Sequence, residues 1–260
     1  MTVRLNGTES EYRIQGNGDK KVVLLHGWGC DMSMMQPVAD ALCDEHSVLL
    51  LDFPGHGKSG NPPEPWGIPE YACWLENLLE SLHFTPCAVI AHSFGCRVAA
   101  WLAADKPDIF TRMVFTGAAG IRPKPSEEAR RRSRHYQRMK KCCLLLCRIP
   151  GLSNAGESLE SRLRRKFGSP DYNALDDEMR KTFVKVVNHD LTAVYPAIRQ
   201  STLLIWGDED TETPVWMGRK MEEMIPDAGL VILENGTHFA YLEQLQRFCT
   251  IVRHFLKEDE

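Results

Sequence analysis

The sequence lacks any long apolar segment. No uninterrupted apolar run approaches the roughly 20 residues that a membrane span needs, and residues 1–21 contain no apolar stretch typical of a signal peptide. Nine cysteines occur without the regular spacing of a disulfide framework, which is typical of a reducing compartment. We therefore expect a cytoplasmic protein without a membrane span.

The sequence also lacks the usual signatures of cofactor binding. It contains no P-loop, and no glycine-rich segment joins a strand directly to a helix as in dinucleotide-binding proteins. The spacing of Cys142, Cys143 and Cys147 with His135 matches no zinc pattern, and these side chains are typical of a helix core. Aromatic residues are not interleaved with the basic residues. We expect no cofactor, no metal ion and no nucleic-acid partner.

The composition is that of a globular domain, with 43% hydrophobic and 25% charged residues among 260. The net charge of −4 conceals an asymmetry. Residues 121–195 contain 17 Lys and Arg against 9 Asp and Glu, whereas the remaining residues contain 14 against 26. The basic segment indicates either an anionic substrate or partner, or a solvated helical face.

Short, continuous apolar runs alternate with helical patterns along most of the chain. Continuous apolarity is typical of strands that are covered on both faces, as in a parallel sheet. The sequence therefore predicts an α/β fold, with a mostly parallel central sheet flanked by helices and an antiparallel edge pair at residues 2–15. The expected strands lie near residues 20–26, 47–52, 87–91, 112–116, 202–206 and 230–233, and the expected helices near residues 32–45, 69–82, 94–104, 214–225 and 239–256.

The alternation stops between residues 121 and 195, where only helical patterns occur. We expect a core formed by residues 1–120 and 196–260, with an all-helical cap, or lid, inserted as residues 121–195. Ser126 is the expected N-cap of a long helix that ends near Cys147, and a second helix is expected over residues 176–188. The long helix is basic on one face and apolar on the other. It can pack its apolar face on the core, or lie on an anionic membrane surface.

The segment Ala91-His92-Ser93-Phe94-Gly95 follows an expected strand and opens an expected helix. A serine at such a sharp strand-to-helix turn exposes its hydroxyl above the sheet, and small residues two positions away on either side allow the backbones to pack closely. The usual G-x-S-x-G pattern has glycine where this chain has Ala91. Ser93 is therefore the candidate nucleophile.

Three further segments follow expected strands and would meet Ser93 at the same edge of the sheet. In His26-Gly27-Trp28-Gly29, the Trp28 N–H can join the Phe94 N–H in a two-donor oxyanion hole. Asp210 follows the strand that ends at residue 206, and His238 follows the last strand. A serine needs a histidine to take its proton, and the histidine needs a carboxylate to orient it. Asp208 is the alternative carboxylate.

Together these motifs resemble the α/β-hydrolases with a helical cap, and most closely the small carboxylesterase and C–C hydrolase branch. The segment Asp52-Phe-Pro-Gly-His-Gly-Lys-Ser59 is similar to a D-x-P-G-x-G-x-S loop of that superfamily. The resemblance implies Ser93 as nucleophile, His238 as general base and Asp210 as the orienting acid, with an acyl-enzyme and a small carboxylic ester as substrate. A serine rather than an aspartate at the elbow argues against a dehalogenase or an epoxide hydrolase.

The sequence is compatible with two other functions. Arg97 lies one helical turn after Ser93, similar to a lyase of the menaquinone pathway in which arginines hold substrate carboxylates, so a lyase or a C–C hydrolase acting on a carboxylate-bearing substrate is the alternative. Arg97 can equally pack its stem against the core. A non-catalytic ligand receptor has no need of a full triad. We list His26, Gly27, Arg97 and Tyr136 as candidate substrate-binding residues.

Overall fold

The structure is a computed structural model that describes residues 1–123, 126–147, 153–167 and 170–257. By its internal contacts, the chain divides into two compact units. The first contains Met1–Ile121 and Val184–Glu260, and the second contains Arg122–Phe183. Residues 184–195, which the sequence assigned to the helical insertion, therefore belong with the first unit by their contacts. The role of the second unit as a cap stays a prediction.

The first unit is built on a sheet of eight strands in the order β1-β2-β4-β3-β5-β6-β7-β8. The second strand is antiparallel to both of its neighbours, β1 and β4, and the six strands β3 to β8 run parallel to one another. This confirms the predicted α/β class and the antiparallel edge. The strands are β1 (Thr2–Leu5), β2 (Thr8–Gln15), β3 (Lys20–Leu25), β4 (His46–Leu51), β5 (Cys87–His92), β6 (Phe110–Thr116), β7 (Thr202–Gly207) and β8 (Ala228–Leu233).

Alternate residues of the central strands enter two apolar layers on opposite faces of the sheet. Val23 of β3 joins one cluster with Val89 of β5, whereas Val22 joins the other with Ile90. Because both faces are covered, every residue of β5 is buried. The continuous apolar runs in the sequence follow directly from this double burial.

Helices flank the sheet, and the basic second unit is helical. In chain order the helices are α1 (Gln36–Leu42), α2 (Ile68–Ser81), α3 (Phe94–Asp105), α4 (Glu127–Cys147), α5 (Ser153–Phe167), α6 (Pro170–Ala174), α7 (Asp177–Asn188), α8 (Val215–Met224), α9 (Ala240–Glu243) and α10 (Leu245–Lys257). In the described residues, no helix is long and apolar enough to cross a membrane.

Two predicted helices are shorter than the sequence indicated. Residues 32–34 form a 3₁₀ turn whose start is capped by Asp31, which accepts a hydrogen bond from the Ser33 N–H. The helix α1 begins only at Gln36, with a proline in its first turn, where a missing N–H costs nothing. The expected helix over residues 239–256 is divided into α9 and α10 at Gln244.

The carboxyl ends of the parallel strands lie at the same edge of the sheet. The register pairs His92 at the end of β5 with Thr116 at the end of β6, and Gly207 of β7 with Leu233 of β8. The loops that follow these strands therefore emerge side by side. In open α/β sheets this is the edge at which ligands bind.

Candidate active site

Ser93 occupies a strained turn between β5 and α3. Its backbone has φ 49° and ψ −103°, a region that residues other than glycine seldom adopt. The turn is held from both sides, because the Ser93 N–H donates to the Thr116 carbonyl at 3.1 Å and the Ser93 carbonyl accepts from the Ala119 N–H at 3.3 Å. Such strain persists only where neighbouring structure enforces it, and it presents the hydroxyl at the end of the sheet.

Gly95 explains why a small residue is needed two positions after Ser93. A Cβ atom at Gly95 would lie 2.7 Å from the Leu25 carbonyl oxygen and 2.8 Å from the Leu25 Cβ. The first turn of α3 therefore packs directly on the end of β3. On the other side of the turn, Ala91 is completely buried, so both positions have little room for a side chain.

Asp210 and His238 form a hydrogen-bonded pair. Nδ1 of His238 lies 2.8 Å from Oδ2 of Asp210, whose side chain is fully buried. Burial by itself raises the pKa of Asp210, but the hydrogen bonds from His238 and Thr213 outweigh it and hold that pKa below its ordinary value. Because an ionised carboxylate only accepts hydrogen bonds, Nδ1 of His238 carries the proton. Nε2 then has a lone pair available to accept a proton.

Thr213 completes this pair, and the sequence reasoning missed it. Its hydroxyl lies 2.8 Å from Oδ2 of Asp210 and 3.0 Å from the Gly117 carbonyl. Its backbone N–H donates to Oδ1 of Asp210 at 2.8 Å. An aspartate followed three residues later by a threonine at a strand end is the signal that could have predicted this turn. Asp208, the alternative carboxylate, is exposed.

The backbone of His238 is attached to the residue that precedes Ser93. Nε2 of His92 donates to the His238 carbonyl at 3.1 Å, and the two imidazole rings are 4.7 Å apart. In the described ranges, no hydrogen bond joins the Ser93 hydroxyl to the His238 ring. Catalytic hydrogen bonds are often long before substrate binds. The structure thus brings the loops of Ser93, Asp210 and His238 together at one edge.

The loop after β3 packs against the turn at Ser93. A Cβ atom at Gly27 would lie 2.7 Å from Nδ1 of His92 and 3.4 Å from the Cβ of Ser93, so the loop backbone approaches the turn closely. The rings of Trp28 and Phe94 meet edge-to-face at 5.3 Å. Phe94 is the first residue of α3, where a backbone N–H has no acceptor within the helix. These positions are compatible with the predicted oxyanion hole.

His26 and His56 are buried around this loop. Nδ1 of His26 lies 2.7 Å from the Gly27 carbonyl, and its Nε2 accepts from the Phe53 N–H at 3.1 Å. Both ring nitrogens are therefore engaged with backbone groups, which favours a positioning role over the predicted substrate contact. Burial lowers the pKa of His26 to about 4 and that of His56 to about 3, so both rings stay neutral near pH 7.

The loop that contains His56 is organised by a buried carboxylate. Asp52 accepts hydrogen bonds from the Met32 N–H at 2.7 Å and from the Lys58 N–H at 2.8 Å. Gly57, two positions before Ser59, has φ +54°, and a Cβ there would collide with the Asp52 carboxylate. The aspartate and the glycine of the predicted D-x-P-G-x-G-x-S loop therefore have structural roles.

Arg97 and Tyr136 are the two remaining candidate substrate-binding residues. Arg97 is buried, and its Nη1 donates to the carbonyls of His189 at 2.8 Å and Val186 at 3.3 Å, at the end of α7. These contacts favour a capping role, since the last carbonyls of a helix lack partners within it. Tyr136 belongs to α4 in the second unit, where its ring lies 5.5 Å from that of Phe167. Its predicted substrate contact stays a prediction.

Comparisons with known proteins identify the family of this chain. A model of the alpha/beta hydrolase family matches residues 22–251. The chain belongs to that family. This confirms the resemblance inferred from the motifs and the predicted fold class. Among the described residues, no group of three or more His, Cys, Asp or Glu side chains could hold a metal ion.

The relatives of this alpha/beta hydrolase include several hydrolases. A 2-hydroxy-6-oxononadienedioate/2-hydroxy-6-oxononatrienedioate hydrolase from a Pseudomonas species is 26% identical, covering 93% of this chain and 89% of that protein. The (E)-2-((N-methylformamido)methylene)succinate hydrolase of Acinetobacter baylyi is 22% identical, covering 91% and 90%. The crystal structure of the enol-lactonase from Burkholderia xenovorans LB400 is 25% identical with a TM-score of 0.76, covering 99% and 100%.

Proposed function

We propose that this alpha/beta hydrolase cleaves a small carboxylic ester, or a related acyl bond, with Ser93 as nucleophile, His238 as general base and Asp210 as the acid that orients it. The observation that carries the proposal is the left-handed backbone of Ser93 at the junction of β5 and α3. The 2.8 Å contact between Asp210 and His238 at the same edge supports it. The similarity to an enol-lactonase, whose name describes a cyclic ester as substrate, agrees with it.

The proposed reaction proceeds through an acyl-enzyme. The Ser93 hydroxyl adds to the ester carbonyl while Nε2 of His238 takes its proton, and the N–H groups of Trp28 and Phe94 stabilise the oxyanion. The tetrahedral intermediate expels the alcohol, which receives the proton from His238. Water then gives a proton to His238 and adds to the acyl group, and the carboxylic acid is released with Ser93 restored.

A C–C hydrolase or a lyase that acts on a carboxylate-bearing substrate is the second candidate. The names of two relatives support this second candidate, because both names describe the hydrolysis of compounds with two carboxylates. The same serine and histidine would serve this chemistry. The contacts of Arg97 with the end of α7 weigh against its assignment as the carboxylate ligand, so this candidate ranks second.

The test is turnover of p-nitrophenyl acetate, butyrate and octanoate by the parent protein and by Ser93→Ala. We expect hydrolysis by the parent and a loss of about 10³-fold or more in the variant. Ser133→Ala, which removes an exposed hydroxyl in α4, is the matched control and should retain full activity. The chain-length profile would then measure the acyl pocket.

A fluorophosphonate probe on the same samples separates the remaining outcomes. Labelling of the parent but not of Ser93→Ala, without turnover of any ester, would reject the esterase proposal and favour the second candidate. That candidate would then be assayed with a 2-hydroxy-6-oxo-dienoate. The absence of both labelling and turnover in a folded protein would reject both candidates and leave a ligand receptor.

A further inference from the structure

Among the described residues, the helix α4 packs within the second unit through the side that faces α5. The ring of Tyr136 contacts Phe167 of α5, and Cys143 is buried. A Cβ atom at Gly156 of α5 would lie 2.5 Å from Sγ of Cys147. Residues 136, 143 and 147 are separated by seven and four positions, so they share one face of the helix. This face of α4 is occupied by α5.

The opposite side of α4 is basic and exposed. Arg131, Arg134 and Arg138 are separated by three and four positions, so their side chains lie on one face. With His135 they line an open hollow of about 250 Å³, to which no acidic side chain of the described residues contributes. In the part of the chain that the structure describes, none of these three guanidinium groups forms a salt bridge. Within the described residues, these three adjacent cations therefore have no acidic side chain paired with them.

The same side of α4 continues into exposed leucines. Leu145 follows Arg138 by seven residues, which places it on the arginine face, and it is 60% exposed. Its neighbour Leu144 is 46% exposed. Helices that lie in the interface of a membrane combine basic residues with exposed leucine in this way.

We propose that the face of α4 formed by Arg131, Arg134, Arg138 and Leu145 binds the surface of a bilayer that contains anionic lipids. Guanidinium groups pair with the phosphate oxygens of headgroups, and the exposed leucine enters the boundary of the acyl chains. This inference does not depend on the proposed ester hydrolysis, because it concerns where the protein is held rather than what it cleaves.

The distribution of charge favours this mode of binding. Residues 121–195 carry 17 basic and 9 acidic side chains, whereas the rest of the chain carries 14 and 26. An anionic surface therefore attracts the basic segment, which contains α4, and repels the remainder of the chain. A small free anion would account for the arginines but not for the exposed leucines. A single-stranded nucleic acid would require aromatic side chains among the basic ones.

The experiment is flotation of the full-length protein with vesicles. One set contains phosphatidylcholine alone, and the other contains about one third phosphatidylglycerol, enough to give a negative surface potential. We expect flotation only with the anionic vesicles at about 0.1 M salt, and its loss at about 0.5 M salt, since the Debye length then falls well below 10 Å. Failure to float with anionic vesicles at low salt would overturn the proposal.

Two triple variants locate the surface. Arg131→Gln/Arg134→Gln/Arg138→Gln should weaken vesicle binding by more than ~10-fold, because each basic residue near the surface contributes to the attraction. Arg4→Gln/Arg199→Gln/Arg219→Gln removes the same charge from exposed sites of the first unit and should leave binding unchanged. Equal loss in both triple variants would reject the assignment to α4.

A double variant tests the contribution of the exposed leucines to vesicle binding. Leu144→Ser/Leu145→Ser keeps every charge, and we expect it to bind anionic vesicles less tightly than the parent. If this variant binds anionic vesicles as tightly as the parent, the leucines do not enter a bilayer and the bilayer assignment is overturned. The assignment is also overturned if soluble inorganic polyphosphate displaces the parent protein from the vesicles as effectively as an excess of anionic vesicles does, because a free polyanion is then the ligand. Thermal unfolding of all variants confirms that their folds are retained.

Discussion

Nε2 of His92 donates a hydrogen bond to the backbone carbonyl of His238 across 3.1 Å. The residue beside the candidate nucleophile therefore holds the loop that carries the candidate general base. Burial lowers the pKa of His92 to about 3, so its ring stays neutral and its proton remains on Nε2 throughout the working pH range. His92 acts through His238 and is a positioning residue.

Replacement of His92 by alanine should lower kcat by roughly 10- to 100-fold with little change in KM, because small displacements of a general base slow the chemical step. His92→Gln, whose amide can donate a hydrogen bond, should recover part of the loss. The measurement is steady-state hydrolysis of p-nitrophenyl butyrate.

Tyr241→Phe provides the control for this prediction. The Tyr241 ring lies 4.9 Å from that of His92, but its hydroxyl bonds to the Met34 carbonyl rather than to His238. The Tyr241→Phe substitution should perturb the same aromatic cluster without affecting kcat. A rise in KM alone in His92→Ala, or equal losses in the alanine and glutamine variants, would contradict the positioning role.

Asp210→Asn should abolish most activity, whereas Asp208→Asn should not. Asp210 is buried against His238 and fixes the proton on Nδ1, while Asp208 is exposed. An asparagine at position 210 can present its amide to the imidazole and favour the wrong tautomer, with a loss in kcat of about 10⁴-fold. Both variants remove one negative charge, so each controls for the other. Comparable losses in the two would show that the acid has been misassigned.

Three buried histidines make folding stability depend on pH. Burial lowers the pKa of His26 to about 4 and those of His56 and His92 to about 3, against 6.5 for the ordinary group. Between pH 6.5 and about 4 the unfolded chain therefore binds protons that the folded chain does not. The stability that these rings contribute is fully present above pH 6.5 and is lost as the pH falls through that window.

We expect the free energy of unfolding in urea to decrease between pH 7 and pH 5, by up to about 1.4 kcal/mol per pH unit for each histidine. His56→Gln removes one of the three buried histidines, so the free energy of unfolding should fall less steeply with decreasing pH, by the contribution of one imidazole ring. Ser133→Ala, which removes an exposed side chain that does not titrate, should leave the pH dependence unchanged. A slope in His56→Gln equal to that of the parent would mean that the His56 ring takes up its proton equally in the folded and unfolded chains.

The sequence predicted those features that depend on local pattern. Continuous apolarity predicted strands buried on both faces, and the strand–Ser93–helix segment predicted a turn that the structure shows with positive φ. The placement of Asp210 and His238 after neighbouring strands brought their side chains within hydrogen-bond distance. In each case one residue type or one periodicity is sufficient to define the local geometry.

Features that depend on long-range packing were not predicted. The contact of His92 with His238 joins residues 146 positions apart, and the contact of Thr213 with the Gly117 carbonyl joins residues 96 apart. A long side chain with an apolar stem and a charged end, such as Arg97, gives no local signal of which partner it will find. The helix expected from residue 32 began late because Pro37 fixes the start of α1.

Substitution of Arg97 distinguishes a structural role of this residue from a contact with the substrate. Its guanidinium donates to the carbonyls of Val186 and His189, and removal of a charged donor that leaves such carbonyls unpaired costs about 1.5–3 kcal/mol. We therefore expect Arg97→Gln to lower the free energy of unfolding in urea by that amount. The folded variant should keep the parent's KM for both a neutral p-nitrophenyl ester and a p-nitrophenyl hemisuccinate. A KM increase confined to the anionic ester, with stability unchanged, would instead assign Arg97 to a substrate carboxylate.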